Sequence, residues 1–179
     1  MRIIAGTLRG RKLFTPKGFE IRPATDRVRQ YIFDCIRGHL PDADVLDLFA
    51  GTGSVGIEAL SRGAKFADFV DNSLESASLI KKNIESLSLE KRSKVFDIDA
   101  FKFVEKCDRR YDLIFLDPPY RYEPTGNLAQ KTASSKILKS DGLLIIEHDN
   151  ESIIPELLDF NLLKQKKFGR TIISILTLK

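Results

Sequence analysis

The sequence predicts one α/β domain: an open, mostly parallel sheet with helices on both faces, preceded by a small basic extension. Three observations carry this. From Asp44 onward, short apolar runs alternate with stretches of helical periodicity. The runs are apolar almost throughout, the pattern of strands covered on both faces. Between the first run and its helix lies Gly51-Thr52-Gly53-Ser54-Val55-Gly56. A glycine-rich turn there is how an open sheet presents a ligand site at the carboxyl end of a strand.

The extension occupies residues 1–41. Residues 2–15 alternate loosely and turn at Leu8-Arg9-Gly10-Arg11, which predicts a small hairpin or extended arm with arginines at its tip. Pro16-Lys17-Gly18 breaks it, and Arg22-Pro23 keeps the chain extended. A helix is expected from Thr25 as N-cap, with Asp26 in its first turn. Val28, Ile32, Cys35 and Ile36 share its apolar face, while Arg27, Arg29 and Arg37 lie elsewhere on it.

The sheet domain occupies residues 42–179. Strands are predicted at 45–49, 66–71, 94–97, 112–116 and 143–147, the last entered by a turn at Asp141-Gly142. Helices are predicted at 54–62, 73–87 and 100–106, with another somewhere in 126–138. In the second of these Leu74, Ala77, Ile80, Ile84 and Leu87 form the buried stripe. The tail, 161–167 and 171–178 around Phe168-Gly169-Arg170, reads as a β-hairpin that adds at least one antiparallel strand.

Composition narrows the function classes. A chain of 179 residues suffices for one well-buried core. No window approaches the roughly eighteen consecutive apolar residues of a membrane span, and no signal peptide is read at the amino terminus, so the expected location is cytoplasmic. Cys35 and Cys107 stand apart, without metal-ligand spacing, and His39 and His148 are isolated, so no metal is expected. Residues 1–39 hold nine Lys and Arg against three acids, leaving the remaining 140 residues at −2 of a total of +4. A basic arm on a slightly acidic body points to a polyanionic partner such as nucleic acid, or to a solvated basic surface.

The chemistry gathers at the carboxyl ends of the strands, where the sequence puts Asp47, Asp71, Asp97 with Asp99, Asp117 and Glu147. Asp71 lies twenty residues beyond Gly51, where an acid can accept the hydroxyls of a cofactor ribose. Asp99 can equally cap the short helix that starts at Ala100. The most specific stretch is Asp117-Pro118-Pro119-Tyr120. Two prolines fix φ and remove two donors, so the loop is stiff and presents acceptors. The Asp117 carboxylate and the Pro118 carbonyl suit a donor with two hydrogens, such as an exocyclic amine, and Tyr120 offers a face on which a base can stack.

Asp47-Leu48-Phe49-Ala50-Gly51-Thr52-Gly53, Asp71 and Asp117-Pro118-Pro119-Tyr120 resemble the motifs of S-adenosylmethionine-dependent amino-methyltransferases that act on nucleic-acid bases. Arg2-Ile3-Ile4-Ala5-Gly6, Leu8-Arg9-Gly10-Arg11-Lys12-Leu13 and Arg22-Pro23-Ala24-Thr25-Asp26-Arg27-Val28-Arg29, with Phe33, resemble one branch, the RsmD-type 16S rRNA (guanine-N2)-methyltransferases. The resemblance runs from Arg2 to about residue 144. It implies a Rossmann-like class I methyltransferase fold, a seven-stranded sheet with its last strand antiparallel. It also implies methyl transfer to a guanine amine of small-subunit rRNA, free or in an assembling particle, by a protein expected to act as a monomer.

By position in those motifs, Asp47, Phe49, Gly51, Gly53, Asp71, Asp99 and Ala100 would hold the cofactor. Asp117, Pro118, Pro119 and Tyr120 would hold the acceptor amine. Arg9, Arg11, Arg22, Arg27, Arg29 and Arg121 would meet RNA. The double-proline motif is shared with adenine-N6 enzymes on RNA or DNA, and the arginine-rich amino terminus favours guanine. A nicotinamide-dependent oxidoreductase also fits the glycine spacing and Asp71, but leaves the double-proline loop and the basic arm unexplained.

Overall fold

The computed structural model describes residues 1–16, 23–119, 125–149 and 159–179. Strands β1 (Asp44–Leu48), β2 (Phe66–Asp71), β3 (Ser93–Asp97), β4 (Tyr111–Leu116) and β5 (Leu138–Asp149) run parallel in the order β3-β2-β1-β4-β5. The hairpin β6 (Phe160–Phe168) and β7 (Thr171–Leu178) folds back so that β7 pairs antiparallel with β5 and β6 lies outside it. The sheet has seven strands. Strand order reverses between β1 and β4, the switch point where an open α/β sheet leaves a crevice at its carboxyl edge.

Each face of the sheet carries its own apolar core. On one, Val45, Phe69, Leu113, Phe115 and Ile145 meet helices α1 (Pro23–Cys35), α2 (Ser54–Ser61) and α3 (Leu74–Ser86). On the other, Leu46, Leu48, Val70, Ile114 and Ile146 meet α4 (Ala100–Lys106) and α5 (Thr125–Ser134). The buried positions of β1, β2 and β4 are apolar, Asp47 and Asp68 excepted, because both sides of these strands are covered.

The extension belongs to the first core. Ile3 and Leu13 of the arm and Val28, Ile32, Phe33 and Ile36 of the α1 region pack there. The arm closes through an antiparallel bridge between Arg2 and Lys12. Its anchor is Glu58 of α2, fully buried, which accepts from the Ile4 and Ala5 N–H groups at 2.8 and 3.0 Å and from Arg62 Nε at 2.7 Å.

Several expectations are corrected. The first helix begins at Pro23, with Asp26 still in its first turn, so Thr25 is not its N-cap. Proline fits a helix start because its missing N–H would have no intrahelical partner there. Leu74 is 75% exposed, since it opens α3 beyond the edge of the core, while Ala77, Ile80, Ile84 and Leu87 are buried. Asp141-Gly142 lies inside β5, which begins at Leu138. The pairing with β4 slips there, from Leu138 opposite Tyr111 to Leu143 opposite Leu113. A local irregularity takes up the extra residues, so the strand continues where a turn was expected.

Candidate active site

The glycine loop is shaped by its backbone. Phe49 follows β1 at φ 62°, a left-handed conformation costly for a residue with a Cβ, and Gly51 and Gly53 come next at φ 56° and 76°. The Gly53 N–H donates to Ala50 O at 2.7 Å, closing the turn before α2 starts. A Cβ on Gly56 would lie 2.4 Å from the Phe69 ring, so this glycine lets α2 seat directly on β2.

Two carboxylates hold the loop from below and beside. Asp47, 2% exposed, accepts from the Gly56 N–H at 2.9 Å. Desolvation, with Asp117 and Asp71 adding repulsion, raises its carboxyl to about 8. Asp71 accepts from the Gly51 N–H at 2.8 Å through one oxygen and from the Ser73 N–H at 2.9 Å through the other. Both of its oxygens are fixed by backbone, yet each keeps a lone pair for a ligand hydroxyl.

A cavity of about 420 Å³ opens at the switch point. Phe49, Gly51 and Asp71 line one side, and Asp117, Pro118, Pro119 and Glu147 line the other. Sheet register explains the grouping. Asp47 lies opposite Phe69 on β2 and Phe115 on β4, and Phe115 lies opposite Ile145 on β5. Two residues further along, the same row carries Asp71, Asp117 and Glu147 at the carboxyl edge. Asp117 is open to the cleft, but protein crowds its carboxyl, and the lost hydration raises it to about 6. Half-buried Glu147, with Asp117 repelling it, is pushed up to about 8. A row of acids suits a ligand with positive charge and hydrogen-bond donors.

The structure therefore brings Phe49, Gly51, Asp71, Asp117, Pro118 and Pro119 to one cavity. Asp47 and Gly53 sit behind the loop that forms its wall. Asp99 accepts from the Lys102 N–H at 3.1 Å as the N-cap of α4, and neither Asp99 nor buried Ala100 lines the cavity. Arg9, Arg11 and Arg27 are exposed on the extension, Arg11 donating to Ser86 O at 2.9 Å. Arg29 departs from the expected open surface. It is 3% exposed and donates to Arg2 O at 2.7 Å and to Asp26 at 3.0 Å, so it ties the arm to α1. Arg22, Tyr120 and Arg121 lie outside the described residues.

Three buried polar groups matter without belonging to any motif. Asn83 of α3 donates to Thr52 O at 3.0 Å and to Phe14 O at 3.1 Å, joining the glycine loop to the arm. Glu58 anchors the arm, and its signal was a charge set among apolar residues in Ile57-Glu58-Ala59-Leu60. Asp68, fully buried, accepts from Tyr111 Oη and Arg109 at 2.8 Å each, tying β2 to β4 beside a separate cavity of about 550 Å³.

A family model described as Conserved hypothetical protein 95 matches residues 1–177. The chain belongs to this family, the RsmD family of methyltransferases. The Bacillus subtilis protein YlbH is 36% identical over 179 residues, covering 98% of this chain and 97% of that one. Ribosomal RNA small subunit methyltransferase D of Haemophilus influenzae is 34% identical over 178 residues, covering 94% and 89%. The solved structure of the Escherichia coli protein yhhF matches with a TM-score of 0.86 at 31% identity, over 100% of this chain and 98% of that one.

The family uses S-adenosylmethionine, and the site of this RsmD-family chain fits that cofactor. Gly51 leaves loop backbone facing the cavity, Asp71 is fixed with lone pairs to spare, and the Asp117 carboxylate complements a ligand bearing a sulfonium and an ammonium. Among the described residues no cluster of His, Cys, Asp and Glu could hold a metal ion, and no helix is long and apolar enough to cross a membrane.

Proposed function

We propose that this chain transfers a methyl group from S-adenosylmethionine to the exocyclic N2 amine of a guanine in 16S rRNA of the small ribosomal subunit. The observation that carries the reading is the two-part cavity. Gly51 and Asp71 line one side and the stiff acceptor loop Asp117-Pro118-Pro119 lines the other. The name of the Haemophilus influenzae relative, ribosomal RNA small subunit methyltransferase D, supports an rRNA substrate.

S-adenosylmethionine supplies a methyl group on a positively charged sulfur. The chain supplies orientation and electrostatics. A guanine amine is a weak nucleophile because its lone pair is shared with the ring. Asp117 and the Pro118 carbonyl accept its two hydrogens and so favour the positive charge that develops on nitrogen as the new bond forms. With its carboxyl near 6, Asp117 is ionised at neutral pH and can take the departing proton. Tyr120 stacks on the target base, offsetting part of the few kcal/mol spent in unstacking it. Arg9, Arg11, Arg22, Arg27 and Arg121 bind the RNA backbone, which makes affinity fall with salt.

Calorimetry with S-adenosylhomocysteine and with NAD tests the cofactor half. Binding of the former alone is expected, and tight binding of NAD alone would defeat the reading. Incorporation of labelled methyl into small subunits from a strain lacking this protein tests the acceptor half.

A further inference from the structure

The register sets a second carboxyl beside the one that holds the amine. Leu116 of β4 lies opposite Ile146 of β5, so the next residues, Asp117 and Glu147, stand side by side at the carboxyl edge, and both line the 420 Å³ cavity. Along β5, Leu143 and Ile145 enter one core while Leu144 and Ile146 enter the other. Glu147 continues the first set, the same face that Asp117 continues after Leu113 and Phe115. It joins neither core, so an acid placed after four buried apolar residues serves the cavity and not the packing.

We propose that Glu147 reads the ring edge of the target base, accepting from guanine N1–H and donating to O6. This rests on the guanine reading above. Along guanine's edge the order is the N2 amine, N1–H, then O6. With the amine held at Asp117 and Pro118, the neighbouring carboxyl meets the other two positions. A neutral carboxyl offers one donor and one acceptor side by side, the pattern those two positions need. Adenine held by its N6 amine offers a bare N1 and then a C–H, so it can satisfy one of the two bonds only.

Burial and Asp117 together keep Glu147 in that neutral form up to about pH 8. Among the described residues, the other ionisable groups lining the cavity are Asp71 at the end of β2 and His148 and Asp149 on β5 itself. On the β7 side it is opposed by uncharged Ile173.

Once nucleoside mapping has located the methylated position, the test places guanine or 2-aminopurine there in 16S rRNA assembled into small subunits. 2-Aminopurine keeps the reacting amine but lacks N1–H and O6. Wild-type protein is expected to lose about 100-fold in kcat/KM on 2-aminopurine. Glu147→Ala should lose a similar factor on guanine and treat the two bases alike within about threefold, a loss of coupling that a purely structural role would not produce. Glu147→Gln, which also pairs a donor with an acceptor, should keep most of the activity and of the discrimination. Binding of S-adenosylhomocysteine confirms that each variant is folded, and if Glu147→Ala is not, Glu147→Leu takes its place.

If the variant lacking the carboxyl keeps the wild-type ratio between the bases, the proposal is overturned while the guanine reading stands. If wild-type product is N6-methyladenosine, the guanine reading itself has failed and this proposal with it.

Discussion

At Asp117 and Glu147 two acids share one end of a cleft, and their shifts sort them into different roles. Asp117, pushed up only to about 6, is the acid proposed to accept from the amine, while Glu147, pushed up to about 8, keeps its proton further. Single-turnover rates should therefore rise through about pH 6 and fall through about pH 8, and Glu147→Gln should remove only the upper limb. A limb near 8 that survives in Glu147→Gln would assign it elsewhere. Asp117→Ala removes the anion facing the amine and should lower kcat by about 10² to 10³. Calorimetry should find its affinity for S-adenosylhomocysteine within about threefold of wild type, and loss of that binding would mean that Asp117 acts on the cofactor side.

Between elements, the strand–loop–helix unit at β1 and α2 is the part most legible in sequence. A run buried on both faces, a glycine turn and an acid at the next strand end each follow from local chemistry, and register then assembles them. The docking of the arm was harder to read. It depends on Glu58, whose partners lie 53 and 54 residues away, and on Arg29, whose charge suggested an exposed surface. Leu74 and Asp141-Gly142 misled because periodicity and turn chemistry are local signals, while the edge of a core and a slip in register are settled by neighbouring strands.

Glu58→Ala strands two part-buried N–H groups and leaves Arg62 with Gln30 and Asp34 alone. It should cost about 3 kcal/mol and free residues 1–13 for hydrogen exchange ahead of the sheet. Uniform protection across arm and sheet in that variant would show that apolar contacts at Ile3 and Leu13 suffice.

For the molecule as a whole, the acidic row trades stability for a ligand site. Glu147 is raised from 4.5 when folded, so between about pH 5 and 8 the folded state binds more protons than the unfolded chain. Its contribution is complete below the unfolded value and is lost as pH rises through that window. Relative to wild type, ligand-free Glu147→Gln should gain about 2 kcal/mol between pH 5 and 8.5, after discounting for water in the cleft. Urea unfolding at the two pH values measures it, and an unchanged difference would place the carboxyl in free contact with solvent. S-adenosylmethionine, with its positive charges, should narrow the gap between the two proteins at high pH.

The claim on which the rest depends is that a guanine amine in small-subunit RNA is the methyl acceptor. The direct measurement is nucleoside analysis of 16S rRNA after small subunits from a strain lacking this protein are incubated with it and isotope-labelled S-adenosylmethionine. The label should appear in N2-methylguanosine with wild-type protein and, over the same short incubation, fall by about 100-fold or more with Asp117→Ala. Label in N6-methyladenosine, or wild-type protein that leaves the RNA unlabelled, would contradict the account.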